Sequence, residues 1–355
     1  MVMGVLNAAK GKPSGEVDSS LLRQANDQNK TRPKVVRSIW NPQSCIEVIE
    51  ECKETKNYPL LKSIRMLVQV STLDALLGNR YHLQNGENIK LDKSRLVQAI
   101  KRTKKYEYNE RELKAKIIET DDASDCVTQY FVIPDDCLDV AYLARKKFGK
   151  RTCVLNMASA SNPGGGWRNG AGAQEESLCR RTALPFCLMD PYQLVYQNRD
   201  HVLYPMKEYS CIHSKNVPCF RASEGKGYEF LDKPHYLSFI SAAAYRQPPI
   251  EVDSDGNDTL SHKWRIKWRN KVRMILRCAI DEGEKVLILS AWGTGVYGNP
   301  PHEVAKAFHD VLHEDEFKPA FEAVLFAIIE DHHSASRGYT NLSVFEQYFP
   351  IGTLE

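Results

Sequence analysis

Between about residues 38 and 123, apolar residues recur at spacings of three and four. CIEVIEECKE (45–54) and LVQAIKRTKK (96–105) both carry this period, which predicts helices. KSRLVQAIKRTKKYEYNERELKAK (93–116) is dense in charges of both signs and reads as a solvated helix face. From about 124 the pattern changes. VTQYFVI (127–133) alternates like a strand. PDDCLDVAYLARKKFG (134–149) reads as a helix with Pro134 in its first turn and Gly149 as its stop. RTCVLNMA (151–158) is a short apolar strand. The alternation continues through a helix at ESLCRRTALPFCL (176–188) and strands at SCIH (210–213) and HYLSFISAAA (235–244). A long amphipathic helix at 263–283 ends on Gly283. KVLILSAW (285–292) is a buried strand, PPHEVAKAFHDVLHE (300–314) a helix opened by prolines, and AVLFAII (323–329) a last strand.

Strands alternating with helices predict an α/β fold. The expected organisation has three parts. Residues 1–37 are polar and without apolar period, which suggests a disordered arm. Residues 38–123 form a helical accessory region, and 124–355 an α/β domain.

Composition adds mainly exclusions. Hydrophobic residues at 42% and charged residues at 26% are those of a soluble globular chain. A formal charge of +3 gives no ground for expecting sequence-specific nucleic-acid binding. No apolar run approaches a membrane span of about 18 residues, and the N-terminus lacks a secretory pattern. Ten cysteines contain no CxxC pair and several lie in apolar runs, as expected of buried thiols in a reducing compartment. An intracellular protein, cytoplasmic or nuclear, is the expectation. Cys211, His213 and Cys219 match no common zinc spacing, and no metal is expected.

Two glycine loops follow predicted strands: NPGGGWRNGAG (162–172) and SAWGTGVYGNPP (290–301). Ligands of open α/β sheets bind at the carboxyl ends of strands, where free helix N-terminal amides favour phosphate. A pair of such loops suits a diphosphate. Gly293, Gly295 and Gly298 fit a G-x-G-x-x-G pattern, which is weak alone, and neither loop is a P-loop. Gln174, Glu175 and Glu176 then open a predicted helix, where the dipole favours carboxylates. Successive helical residues point about 100° apart, so the two glutamates are expected to take different jobs.

GGG, a spacer of seven, then QEE resembles the signature of bacterial-type poly(ADP-ribose) glycohydrolases, which also occur in fungi. The likeness extends to VLNMASASNPGGG, VPCFR (217–221) and LSAWGTGVYGNPP, and covers roughly 125–350. It implies a macrodomain-like mixed sheet between helices, with ADP-ribose in a cleft, and hydrolysis of ribose–ribose O-glycosidic bonds without metal or cofactor. Carried over by position, Glu176 is the general acid and Glu175 the ribose-hydroxyl partner. Asn162 orients the terminal ribose. Gly164, Gly165 and Gly166 approach the diphosphate, and Gln174 is expected among the ligand-binding residues. Gly293, Thr294, Gly295, Val296 and Gly298 belong to the second diphosphate loop, where Tyr297 covers the ribose in place of the family's frequent Phe. Phe326 and Ile328 share a strand face; either is core or meets the adenine. Trp167 and Trp292 flank the loops as packing or substrate contacts.

The partners implied are poly(ADP-ribose), ADP-ribosylated proteins and the product ADP-ribose. Two alternatives keep the pocket: a module that reads ADP-ribose without cutting it, and a hydrolase of mono-ADP-ribosyl bonds on protein or nucleic acid. The basic helices at 93–116 and 262–273 could guide a polyanionic chain.

Overall fold

The computed structural model describes residues 40–116, 127–192, 194–195, 203–254, 256–329 and 338–354. The expected arm at 1–37, Cys126 and the AspHisHis stretch at 331–333 lie outside the described residues.

Helices α1 (Pro42–Glu54) and α2 (Tyr58–Gly78) come first, followed by a hairpin of β1 (Arg80–His82) and β2 (Asn88–Lys90), then α3 (Lys93–Lys101) and β3 (Lys104–Glu107). Next are β4 (Gln129–Ile133), α4 (Cys137–Phe148), β5 (Thr152–Met157), α5 (Gln174–Arg181) and α6 (Leu184–Met189). Long strands β6 (Ser210–Arg221) and β7 (Phe230–Ala242) precede a minor pair, β8 (Glu251–Val252) and β9 (Asp258–Thr259). The chain closes with α7 (His262–Asp281), β10 (Val286–Leu289), α8 (Pro301–Leu312), β11 (Ala323–Ala327) and α9 (Asn341–Phe345).

Seven strands form one sheet in the order β3-β6-β7-β5-β10-β11-β4. β7, β5, β10, β11 and β4 pair in parallel, in registers such as Leu155 with Ile240 and Leu289 with Phe326. β3 is antiparallel to β6, which makes the sheet mixed. The buried runs of β10 and β11 are the continuous apolar strands expected of a sheet covered on both faces.

The chain divides into two compact units. One comprises 1–102, 162–202 and 216–236; the other comprises 103–161, 203–215 and 237–355. In the first, α1 and α2 pack together, α2 also packs on α5, and α3 packs on α6. Its buried side chains include Val48, Val68, Leu178, Phe186 and Phe220. The second holds the large core around Trp268, Trp292, Phe308, Phe326 and Phe349.

Several elements differ from the sequence reading. The helical pattern after Leu96 stops at Lys101, and KKYE becomes edge strand β3. Lysines on an edge strand discourage further pairing, so the charge density there belongs to a strand margin. α4 starts at Cys137, not near Pro134, because the Asp136 side chain caps the amides of Leu138 and Asp139. Gly149 does end it, at φ 62°. The helix expected at 176–188 is two helices. Thr182 interrupts it by taking the Leu184 amide on its hydroxyl and bridging to Cys219. α7 differs in its charges: Arg265 pairs with Glu303, Lys267 with Glu208, Arg269 with Asp310, Arg273 with Glu314 and Arg277 with Glu316. The basic stretch at 262–273 is therefore largely neutralised within the fold.

Candidate active site

The acids sit in the first unit. Gly165, at φ +56°, turns the chain where side chains rarely follow, and a Cβ there would run into Glu176 Oε1 and stand 3.0 Å from Glu175 Oε2. A single 3₁₀ turn, Trp167–Asn169, begins the return to α5. Ala173 caps α5 without a side-chain bond, so its first amides gain no partner from that residue.

Both glutamates reach back from the first turn of α5 to the glycine triplet. Glu175 Oε1 accepts from the Gly164 amide at 3.1 Å, and Glu176 Oε1 from the Gly166 amide at 2.8 Å. The middle amide, of Gly165, donates to the Asn162 carbonyl at 2.9 Å. All three amides reserved for a diphosphate in the sequence reading are thus engaged within the loop. Both side chains approach Gly165, where a Cβ would meet Glu176 Oε1 and stand 3.0 Å from Glu175 Oε2.

Both glutamates are buried, Glu175 at 3% and Glu176 at 8% exposure. Glu176 Oε2 is buried with no hydrogen-bond partner among the described residues. Cys179 packs beneath Gly164, and burial drives its thiol pKa well above the usual value, with the charges of Glu175 and Glu176 adding to the effect. It stays a neutral thiol. Trp167 is buried, its ring edge against the Gly164 backbone, which makes it part of the loop's packing. Asn162 is exposed at the mouth of the turn, and Gln174 is half-buried at the start of α5.

The second loop belongs to the other unit. Gly293 has φ +78°, and a Cβ there would lie 2.5 Å from Ala244 Cβ and 2.8 Å from Asn299 Nδ2. Fully buried Asn299 organises the turn. Its Nδ2 donates to the carbonyls of Tyr245 and Gly293, and its Oδ1 accepts from Trp268 Nε1. The Gly298 amide donates to Gly295 and the Tyr297 carbonyl accepts from Gln247. The amides of Gly293, Gly295 and Val296 have no hydrogen-bond partner among the described residues. Val296 is 74% exposed at the tip, and Thr294 is buried. Trp292 is structural, with its Nε1 donating to the Ala242 carbonyl.

Phe326 is fully buried. It stacks on Phe349 at 4.4 Å and meets Phe308 and Phe345 edge-on or tilted. Its ring is occupied by protein, which is the core placement, and Ile328 is buried too. Cys211 and Cys278 lie in the same buried core cluster, while His213 lies between Glu284 at 3.1 Å and Glu282 at 3.6 Å. Among the described residues no group of His, Cys, Asp and Glu is arranged to hold a metal. The nine described cysteines are free and buried, as the sequence suggested. No described helix is long and apolar enough to cross a membrane. A separate pocket of about 190 Å³, lined by Trp40, His82, Phe230 and Asp232 among others, contains none of the motif residues.

A mixed sheet with flanking helices and two glycine turns, one gripping a buried acid pair, defines an α/β protein of macrodomain-like fold. The sequence model of the family described as microbial-type PARG, catalytic domain, matches residues 70–222. No curated protein matches the chain significantly. Among solved structures, the poly(ADP-ribose) glycohydrolase (PARG) of Thermomonospora curvata is similar at 26% identity and a TM-score of 0.63, over 80% of this chain and 99% of that one. The same enzyme bound to the inhibitor ADP-HPD gives 26% and 0.61. The Deinococcus radiodurans glycohydrolase in complex with ADP-ribose gives 27% and 0.52, over 71% of this chain and 96% of that one. Residues 70–222 thus match the microbial-type PARG catalytic domain, and the chain as a whole is similar to two bacterial poly(ADP-ribose) glycohydrolases.

Proposed function

We propose that the protein hydrolyses the ribose–ribose O-glycosidic bonds of poly(ADP-ribose), releasing ADP-ribose, with Glu176 as its acid and base. The observation that carries this reading is the asymmetry of the Glu176 carboxyl. Oε1 is tethered to the Gly166 amide, while Oε2 is shielded and unpartnered among the described residues. A shielded carboxyl with one oxygen uncommitted suits general acid work.

Protonated at Oε2, Glu176 donates its proton to the leaving ribose oxygen as the C–O bond breaks and oxocarbenium character develops at the anomeric carbon. The carboxylate then takes a proton from water, whose oxygen bonds to that carbon. Glu175 is assigned to the ribose hydroxyls, Asn162 to orienting the terminal ribose, and Gln174 to contacting the ligand. The amides of Gly293, Gly295 and Val296, without a partner among the described residues, suit the diphosphate, and Tyr297 the ribose. Gly164, Gly165 and Gly166 act by gripping the acids. The adenine contact is left unassigned, since Phe326 lies in the core. ADP-ribosylated proteins are the corresponding partners, met inside the cell.

The test is release of ADP-ribose from purified poly(ADP-ribose). Glu176→Gln should lower kcat about 10²- to 10⁴-fold while still binding ADP-ribose. Equal turnover by that variant would remove Glu176 from the mechanism. No release by the wild type, with ADP-ribose still bound, would favour a reader or a hydrolase of a different ADP-ribosyl bond.

A further inference from the structure

Behind the acid pair lies a chain of polar contacts that the catalytic signature does not include. Arg65, on α2, makes a two-pronged contact with Glu224, Nε to Oε2 at 2.7 Å and Nη2 to Oε1 at 3.0 Å. Glu224 Oε2 accepts from the Tyr228 hydroxyl at 2.9 Å. That hydroxyl accepts from Arg180 Nε at 3.0 Å. Arg180 Nη1 donates in turn to the Ala171 carbonyl at 2.7 Å. The chain closes on itself: the Arg65 guanidinium lies against Gly172, where a Cβ would collide with it. Ala171 and Gly172 are therefore held from both ends of one network, between the glycine triplet and the glutamates.

Four features argue that this is more than surface pairing. Arg180 and Tyr228 are fully buried, so breaking any of their hydrogen bonds would strand a polar group away from water. Tyr228 has φ +53°, a costly conformation for a bulky residue, kept while its hydroxyl joins the two halves of the network. Burial pushes its pKa up to about 12, despite the opposing pull of Arg180, so the hydroxyl keeps its proton and can donate to Glu224. α5 also carries both Arg180 and the glutamates, so fixing its last turn against Ala171 fixes the start of the same rigid helix.

We infer that Arg65, Glu224, Tyr228 and Arg180 are positioning residues, a brace that holds the 171–173 segment so that Glu175 and Glu176 stay docked on the glycine triplet. Its effect on rate rests on the function proposed above; its effect on the loop does not. Tyr228→Phe removes one oxygen and cuts the brace at its middle. The expected result is a kcat about tenfold lower for ADP-ribose release, with KM within twofold, in a protein that still folds cooperatively but with a lowered thermal midpoint. Arg65→Ala should lower kcat alike, with its own loss of stability, and the kcat of Tyr228→Phe/Arg65→Ala should be little worse than either single change, since both sever one chain. Amide hydrogen exchange is read in the same proteins. The amides of Gly166 and of residues 171–176 should exchange at least tenfold faster in Tyr228→Phe, with β5 and β10 unaltered.

Wild-type exchange at those amides in Tyr228→Phe would overturn the brace, as would wild-type kcat in both folded single variants. Additive losses would refute a single connected network. If the wild-type protein releases no ADP-ribose, the function falls, and the exchange measurement still decides the brace.

Discussion

The Glu176 carboxylate accepts a 2.8 Å hydrogen bond from the backbone amide of Gly166, ten residues before it. Glu175 does the same with Gly164. The glycine triplet and the acid pair are thus one object, and its most sensitive point is Gly165. Gly165→Ala would place a methyl group against Glu176 Oε1 at a left-handed φ. ADP-ribose release should fall about 100-fold or more, as expected when a catalytic group is misplaced by about 1 Å. The folding midpoint should drop only modestly. Kinetics beside thermal unfolding check this, and an active Gly165→Ala protein would refute the packing argument.

At the second loop, Gly293→Ala would press on Ala244 and Asn299. The turn that exposes the amides of Gly295 and Val296 should distort. ADP-ribose affinity measured by calorimetry should weaken by about tenfold or more, or about 1.4 kcal/mol. Val296→Ala, at the exposed tip, keeps the backbone and should bind nearly as the wild type does.

Acid should probe the Arg65–Glu224 pair. Burial opposes ionisation of Glu224, but the hydrogen bonds and charge of Arg65, with Tyr228 and Lys53 behind, outweigh it and hold its pKa at about 2, against 4.5 ordinarily. A carboxyl with a depressed folded pKa contributes stability above its unfolded value and loses it as pH falls toward the folded one. The contribution, on the order of 3 kcal/mol for a shift of that size, should be complete above pH 4.5 and vanish toward pH 2. Denaturant unfolding of wild type and Glu224→Gln across that range should show the gap closing on acidification. A gap independent of pH would disprove the assignment.

Arg277 offers a stability test in the other unit. It grips Glu316 through Nε and Nη2 at 2.7 and 2.6 Å, and donates to the carbonyls of Glu112 and Lys114. Arg277→Met leaves a part-buried carboxylate, with Lys116 still 3.5 Å away, and two carbonyls without that partner. It should cost about 3–5 kcal/mol, seen as a lower denaturant midpoint. Arg277→Met/Glu316→Leu should recover much of the loss.

Salt should act weakly. Along α7 the basic side chains Arg265, Lys267, Arg269, Arg273 and Arg277 are all ion-paired. A protein that neutralises many phosphates loses about 10³- to 10⁵-fold in affinity between 50 and 200 mM salt. Here kcat/KM on poly(ADP-ribose) should change less than about tenfold over that range. A steep dependence would return the guiding role to this helix.

What the sequence disclosed follows from how each element is stabilised. β10 and β11 are buried apolar runs, and their pattern is local, as is the Asp136 cap that opens α4. β3 was hidden because an edge strand is polar like a helix face. The β1–β2 hairpin does have a local signal, Asn85-Gly86 between its strands. The acid pair was legible as a motif, but its grip on the glycine amides was not, because side-chain direction depends on the loop's path. Arg65, Arg180 and Tyr228 meet across long stretches of chain. Nothing in the local pattern of RRT or GYE marks those residues as partners. Asn299 is similar: an asparagine before two prolines reads as a turn, and only the fold reveals the buried site it fills.

Gly170 packs so closely on the Lys62 carbonyl that no side chain fits between them. The helix that supplies that carbonyl, α2, begins at Tyr58, before the family match starts at residue 70. A gene trimmed to the matched segment, or to 124–355, would encode the glutamates without the surface that their loop leans on. The smallest portable version of this enzyme should therefore begin ahead of α1, and shorter fragments moved into other proteins should carry the signature without its activity.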